Sequence, residues 1–179
     1  MSRPRGNPSR QHSPRPPMKL VVRVGLSWLN EEVRWKTIWQ PALASIAKDA
    51  SNRLRNAGYE VAADGAVEVR KLRATPGQYV FDAIVEDIEE ADVLIFDLTP
   101  RKGELAGPAN VLIEVGAALA LERRVFLASE CPVKVGVHSS DLAGYQIGRV
   151  SRGKLDQSFR MAILNRILRD WRRRHGRIS

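Results

Sequence analysis

Apolar residues along this chain alternate between short β-branched runs and stripes at helical spacing. Leu20–Leu26 (LVVRVGL) predicts a first strand. Ser27–Lys36 mixes Trp28 and Trp35 with the charges of Glu31, Glu32, Arg34 and Lys36. It predicts a loop whose tryptophans are packing anchors. Trp39 and Pro41 open a helix, since proline is tolerated in a first turn. Leu43, Ile46, Ala47, Ala50 and Leu54 follow at helical spacing, and Gly58 ends the element. Tyr59–Ala63 predicts a second strand, and 64–78 a loop punctuated by Gly65, Pro76 and Gly77. Phe81, Ile84, Val85 and Ile88 recur at i, i+3, i+4 and i+7, with Asp82, Glu86, Asp87, Glu89 and Glu90 opposite. That is an amphipathic helix with a solvated acidic face. Val93–Leu98 (VLIFDL) is apolar on both faces and predicts a central strand covered by helices. After the loop Thr99–Ala109, Asn110 is placed to cap a buried helix, Val111–Leu121. Val125–Ala128 predicts a fourth strand, 131–144 irregular chain, and Tyr145–Val150 a fifth strand. Leu155–Arg174 closes the pattern as a helix striped by Phe159, Ile163, Ile167 and Trp171.

Strands alternating with helices imply right-handed crossovers and a mainly parallel sheet of about five strands. In such sheets ligands bind beyond the carboxyl ends of the strands. The segment from Asp97 to Gly116 falls there, with Asp97 at a strand end and Asn110 and Glu114 at a helix start. Glu114 is the sole ionisable residue between Glu104 and Glu122, and its helical neighbours Val111, Ala118 and Leu121 are apolar. Burying an ionised carboxylate there is costly unless it is paired or its pKa rises, although the helix start offsets part of that cost. So awkward a group points to a use. The bland counterpart is a Glu114 bonded to the Asn110 backbone or to an arginine such as Arg23. Asp97 has a bland role too, capping the loop that follows it, and Asn110 that of a plain N-cap. Gly116 lets a ligand or a packed strand approach the helix.

Charge adds little to this picture. The 179 residues carry a formal net charge of +9, all of it at the two ends, so 18–165 is balanced. Residues 1–17 read as a disordered basic Pro/Arg-rich tail and 172–179 as a basic C-terminal tail, flanking an α/β domain over 18–171. Such runs are solvated or touch nucleic acid weakly. Cys131 is the lone cysteine, which excludes an internal disulfide, and with three scattered histidines no metal site is expected. No apolar run suits a membrane span or a secretory signal, so the expected compartment is the cytoplasm, with no membrane partner. Phosphate-binding glycine loops and a serine elbow are absent as well. Carboxylate chemistry remains: nucleophile, general acid or base, or stabiliser of a cationic sugar.

The strings ADVLIFDLTP (91–100) and NVLIEVGAALAL (110–121), followed by RVFLAS, resemble the nucleoside 2-deoxyribosyltransferase-like and TIR-like nucleotide-binding group. SSDLAGY (139–145) is similar to a late segment of that group. The likeness spans roughly 19–150, with its specific part near thirty residues. It implies a three-layer flavodoxin-like sandwich that holds a nucleoside, nucleotide or NAD and works without a cofactor of its own. It also implies cleavage or transfer of an N-glycosidic bond, with the matching Glu114 attacking or stabilising the anomeric carbon. Asp97 joins it as the second candidate catalytic residue. Asn110, Ser27, Gly25 and Gly116 are the candidate substrate contacts. Asp82 stands in for a supporting acid that some transferases carry in the loop before Asn110. Relatives in this group imply a homo-oligomer, and some bind nucleotides without turnover.

Overall fold

The computed structural model describes residues 19–27, 31–72, 80–100, 107–131, 145 and 147–176. The expected tail over 1–17, Trp28, residues 73–78 of the loop expected at 64–78, and most of the loops at 99–109 and 131–144 lie outside them, as do 177–179.

One six-stranded sheet forms the frame, and its strands are β1 (Leu20–Gly25), β2 (Val67–Lys71), β3 (Val93–Asp97), β4 (Val125–Ser129), β5 (Ile147–Ser151) and β6 (Lys154–Leu155). Their spatial order is β2-β1-β3-β4-β5-β6. All neighbours run parallel except β5 and β6, which pair antiparallel. The extra strand comes from a hairpin at Arg152–Gly153, where both residues take positive φ, 49° and 74°. Such a two-residue turn matches the twist of antiparallel strands and favours glycine in its second position.

Helices cover both faces. On one, α1 (Glu31–Arg34), a π-helical turn (Trp35–Trp39), α2 (Gln40–Asn56) and α5 (Gln157–His175) follow the even residues of β1. Leu20, Val22 and Val24 there meet Trp39, Leu43, Ile46, Ile163 and Trp171 in one apolar cluster. On the other face, α3 (Val80–Glu90) and α4 (Ala109–Ala120) pack Ile84, Ile88, Val111 and Val115 on Leu94 and Phe96. β3 is buried at every position, as its doubly apolar run predicts.

The expected loop at Ser27–Lys36 is instead helical from Glu31, and Trp39 and Pro41 lie inside a helical run rather than opening it. Pro41 has no N–H to donate and its ring crowds the carbonyl four residues back. The turn before it widens, so that Gln40 N–H bonds to Trp35 O. The second strand lies at Val67–Lys71, not Tyr59–Ala63. Tyr59 and Val61 pack on the first core cluster without strand pairing, and Ala66 O is the acceptor for Leu20 N–H where the ladder with β1 begins. The acidic face of α3 is not wholly solvated, because Asp87 is fully buried and pairs with Arg23 of β1 at 3.0 Å. The last helix starts at Gln157, since Asp156 accepts from Phe159 N at 2.9 Å and caps it. It continues through Arg172–Arg174 to His175.

Candidate functional site

Order β2-β1-β3-β4-β5 has a topological switch between β1 and β3, where successive crossovers leave in opposite directions. In sheets of this order the crevice outside those two strand ends is the usual ligand position. Three elements meet there. β1 ends at Gly25, β3 ends at Asp97, and α4 starts at Ala109.

Glu114 lies one turn into α4 and is 5% exposed. Its Oε2 has no hydrogen-bond partner among the described residues. The anticipated pairing with Arg23 does not occur, because Arg23 is taken by Asp87 and by Glu90, the latter at 2.9 Å. Burial pushes the Glu114 carboxyl up to about 8, and the negative charge of Glu31 adds to the rise. At neutral pH the group is therefore mostly protonated, a proton donor rather than a resting anion.

Gly25 explains how the carboxyl fits. Its α-carbon faces α4, and a Cβ there would stand 2.6 Å from Glu114 Oε2 and 2.5 Å from Phe96 Cδ1. Glycine is thus required by contact with the acid itself. Asn110 is not the N-cap that its position suggested. Pro108 takes that place, and Asn110 sits inside the first turn with Nδ2 donating to Leu26 O at 3.3 Å. That bond straps α4 to the end of β1. Ser27 follows directly and is half-buried.

Asp97 is brought to the same edge but is already committed. Oδ2 accepts from Trp39 Nε1 at 2.8 Å and from Arg34 Nε at 2.7 Å. Oδ1 accepts from Thr99 N at 3.0 Å and from Thr99 Oγ1 at 2.5 Å. Arg34 also reaches Glu130 at 3.1 Å. These bonds occupy the carboxylate, so its geometry is that of the loop cap and a helix anchor. Sequence reasoning missed Arg34, Trp39, Thr99 and Glu130. The one available signal was Arg34 and Trp39 flanking a proline-perturbed turn. Five residues apart they would be about 140° apart on an α-helix, and the wider turn lets both reach one oxygen.

Two further candidates do not join the cluster. Gly116 lies on the exposed side of α4, where an added Cβ would meet nothing within 4 Å, so it answers no close approach. Asp82 is exposed in the first turn of α3. Tyr145, from the late SSDLAGY string, is described by itself and is exposed; the rest of that string lies outside the described residues.

No helix among the described residues is long and apolar enough to cross a membrane. No family model matches the chain, and no curated protein matches it. Among solved structures, a 2-deoxyribosyltransferase from Leishmania mexicana is similar at 14% identity and a TM-score of 0.41, over 75% of this chain and 82% of that one. A metal-soaked flavodiiron core from Synechocystis is similar at 14% identity and a TM-score of 0.42. It covers 89% of this chain, which spans 37% of that one. At these scores neither likeness bears on the chemistry of this chain.

Proposed function

We propose that this chain is a nucleoside- or nucleotide-processing domain that cleaves or transfers an N-glycosidic bond, with Glu114 as the working carboxyl. The observation that carries the reading is a buried acid at the β1/β3 switch whose Oε2 has no partner among the described residues. A neutral carboxyl has a proton to give. As the bond from C1′ to the base nitrogen breaks, its electron pair leaves with the base, and Glu114 supplies the proton that the base takes up. The carboxylate so formed then faces a sugar that has become oxocarbenium-like, which stabilises it. Water or a second base then bonds to C1′ and gives up a proton, which returns to the Glu114 carboxylate and restores the neutral acid. Asn110 Oδ1 and Ser27 Oγ are the polar groups nearest in sequence and topology to hold sugar hydroxyls. Asp97 serves as a positioning residue that fixes Thr99 and α1.

A second reading, nucleotide binding without turnover, draws on the same protonated state. A neutral carboxyl donates a hydrogen bond, and glutamine can replace it in that role. Incubation with a panel of nucleosides, nucleotides and NAD, followed by chromatography for free base, separates the two. The glycosidic reading expects base release by the parent chain and its loss in Glu114→Gln. Saturable binding that Glu114→Gln preserves, with no base released by either, favours the sensor. Base release undiminished in Glu114→Gln rules out the catalytic role.

A further inference from the structure

We propose that two copies of this chain pair antiparallel through β2, joining their sheets about a two-fold axis at Val69. This inference stands apart from the role of Glu114. β2 is an outer strand of the sheet, bonded on one side to β1. Leu20 N–H donates to Ala66 O and Leu72 N–H to Val24 O, both at 2.9 Å. By strand alternation, the backbone groups of 66, 68, 70 and 72 face β1, and those of Val67, Val69 and Lys71 point outward. An outward row of this kind is a template for another strand.

The side chains select the occupant. Val67 and Val69 belong to the α2 face of the sheet. They line one wall of a cleft of about 450 Å³ shared with Trp35, Ala44 and Ala47. Glu68 and Arg70 lie on the opposite face, half-exposed, with Arg70 Nε donating to Glu68 Oε1 at 2.6 Å within the strand. With the axis at Val69, each Glu68 stands opposite the second copy's Arg70, and the outward backbone groups of 67, 69 and 71 meet their counterparts. The two charge pairs then fall at the positions without mutual hydrogen bonds, where Cα atoms approach to about 4.5 Å. Moving the axis to Glu68 sets two glutamates opposite one another, and moving it to Arg70 sets two arginines opposite. Of the registers centred on Glu68, Val69 and Arg70, the charge pattern therefore admits only the one at Val69, and that register is self-complementary. It also brings a second Val69 over the apolar end of the cleft. Lys71 contributes less, being bonded to Glu31 and Glu32, with its carbonyl 3.4 Å from Arg23 Nη1.

Light scattering on the intact chain over a wide concentration range tests this. The mass is expected to rise from 20.0 kDa toward twice that value. Glu68→Arg and Arg70→Glu should each weaken the dimer by about tenfold or more, because each places like charges opposite at two sites. The double exchange should restore it. Hydrogen exchange on the unmodified chain gives a second measurement, with the Val67, Val69 and Lys71 amides gaining protection as concentration rises. A monomer at every concentration overturns the proposal and leaves the Glu68–Arg70 pair as a guard on the edge. A dimer indifferent to the single exchanges, or not restored by the double one, or with unprotected β2 amides, overturns it as well.

Discussion

Glu114 titrates near 8 in the folded chain against 4.5 for an ordinary carboxyl of its type. Below pH 4.5 both folded and unfolded chains hold the proton, and the group is neutral toward stability. As pH rises from 4.5 to 8 the unfolded chain releases it first, so stability falls, by on the order of 5 kcal/mol across that window. Glu114→Gln removes the proton and with it this loss. Urea titrations should find the variant close to the parent at pH 5 and more stable by several kcal/mol at pH 8.5. Equal stability at both values would mean that the acid is not buried in solution as it is here. Gly25→Ala probes the same contact from the other side. The added methyl would strike Phe96 and Glu114, so a loss of about 1–3 kcal/mol is expected. Glu114 should be displaced with it, flattening the pH dependence. The glycosidic reading adds a large loss of base release in both variants.

At the scale of elements, the π-helical turn is the part that the periodicity of the sequence could not reveal. Pro41 widens that turn, and the contact it makes possible lies 58 residues away, where Trp39 Nε1 meets Asp97 Oδ2. Arg34 adds the charge that balances Asp97, which is 2% exposed. Arg34→Ala leaves that carboxylate with neutral donors alone. The expected cost is about 3 kcal/mol by denaturant titration, the scale of a broken buried ion pair. A change of only about a few tenths of a kcal/mol would assign the anchoring to Trp39 and Thr99. Because α1 also carries Glu31, loosening it should lower the titration of Glu114 as well. Elements with strong local periodicity were legible: β1, α3, β3 and α4 lie where their patterns put them. β2 was missed because an edge strand buries one face, and VEVRK shows that only as a weak alternation. β6 was missed because two residues carry no period at all.

For the whole molecule, the positive excess sits at the chain ends, and Arg169, Arg172 and Arg173 are exposed on the last turns of α5. A neutral body with basic ends suits loose contact with a polyanion, separate from the β1/β3 crevice. We expect binding of a single-stranded RNA oligomer to weaken steeply with salt, the slope falling by about 0.7 for each phosphate contact removed. Deleting 1–17 together with Arg172→Gln and Arg173→Gln should remove most of that binding without altering base release. RNA affinity that ignores salt, or that survives those changes, would end this reading.

The sequence by itself determined the alternation of strands and helices, the buried central strand, the mainly parallel sheet and the isolation of Glu114 among aliphatic residues. These are local properties, written in spacing and side-chain type, which need no knowledge of distant neighbours. Tertiary structure decided the partners. It gave Arg23 to Asp87 rather than to Glu114, committed Asp97 to Arg34, Trp39 and Thr99, turned Gly116 toward open space, and set Gly25 against the acid. A hydrogen bond or a steric contact depends on which residues the sheet order brings to one edge, and that order follows from packing two apolar faces at once.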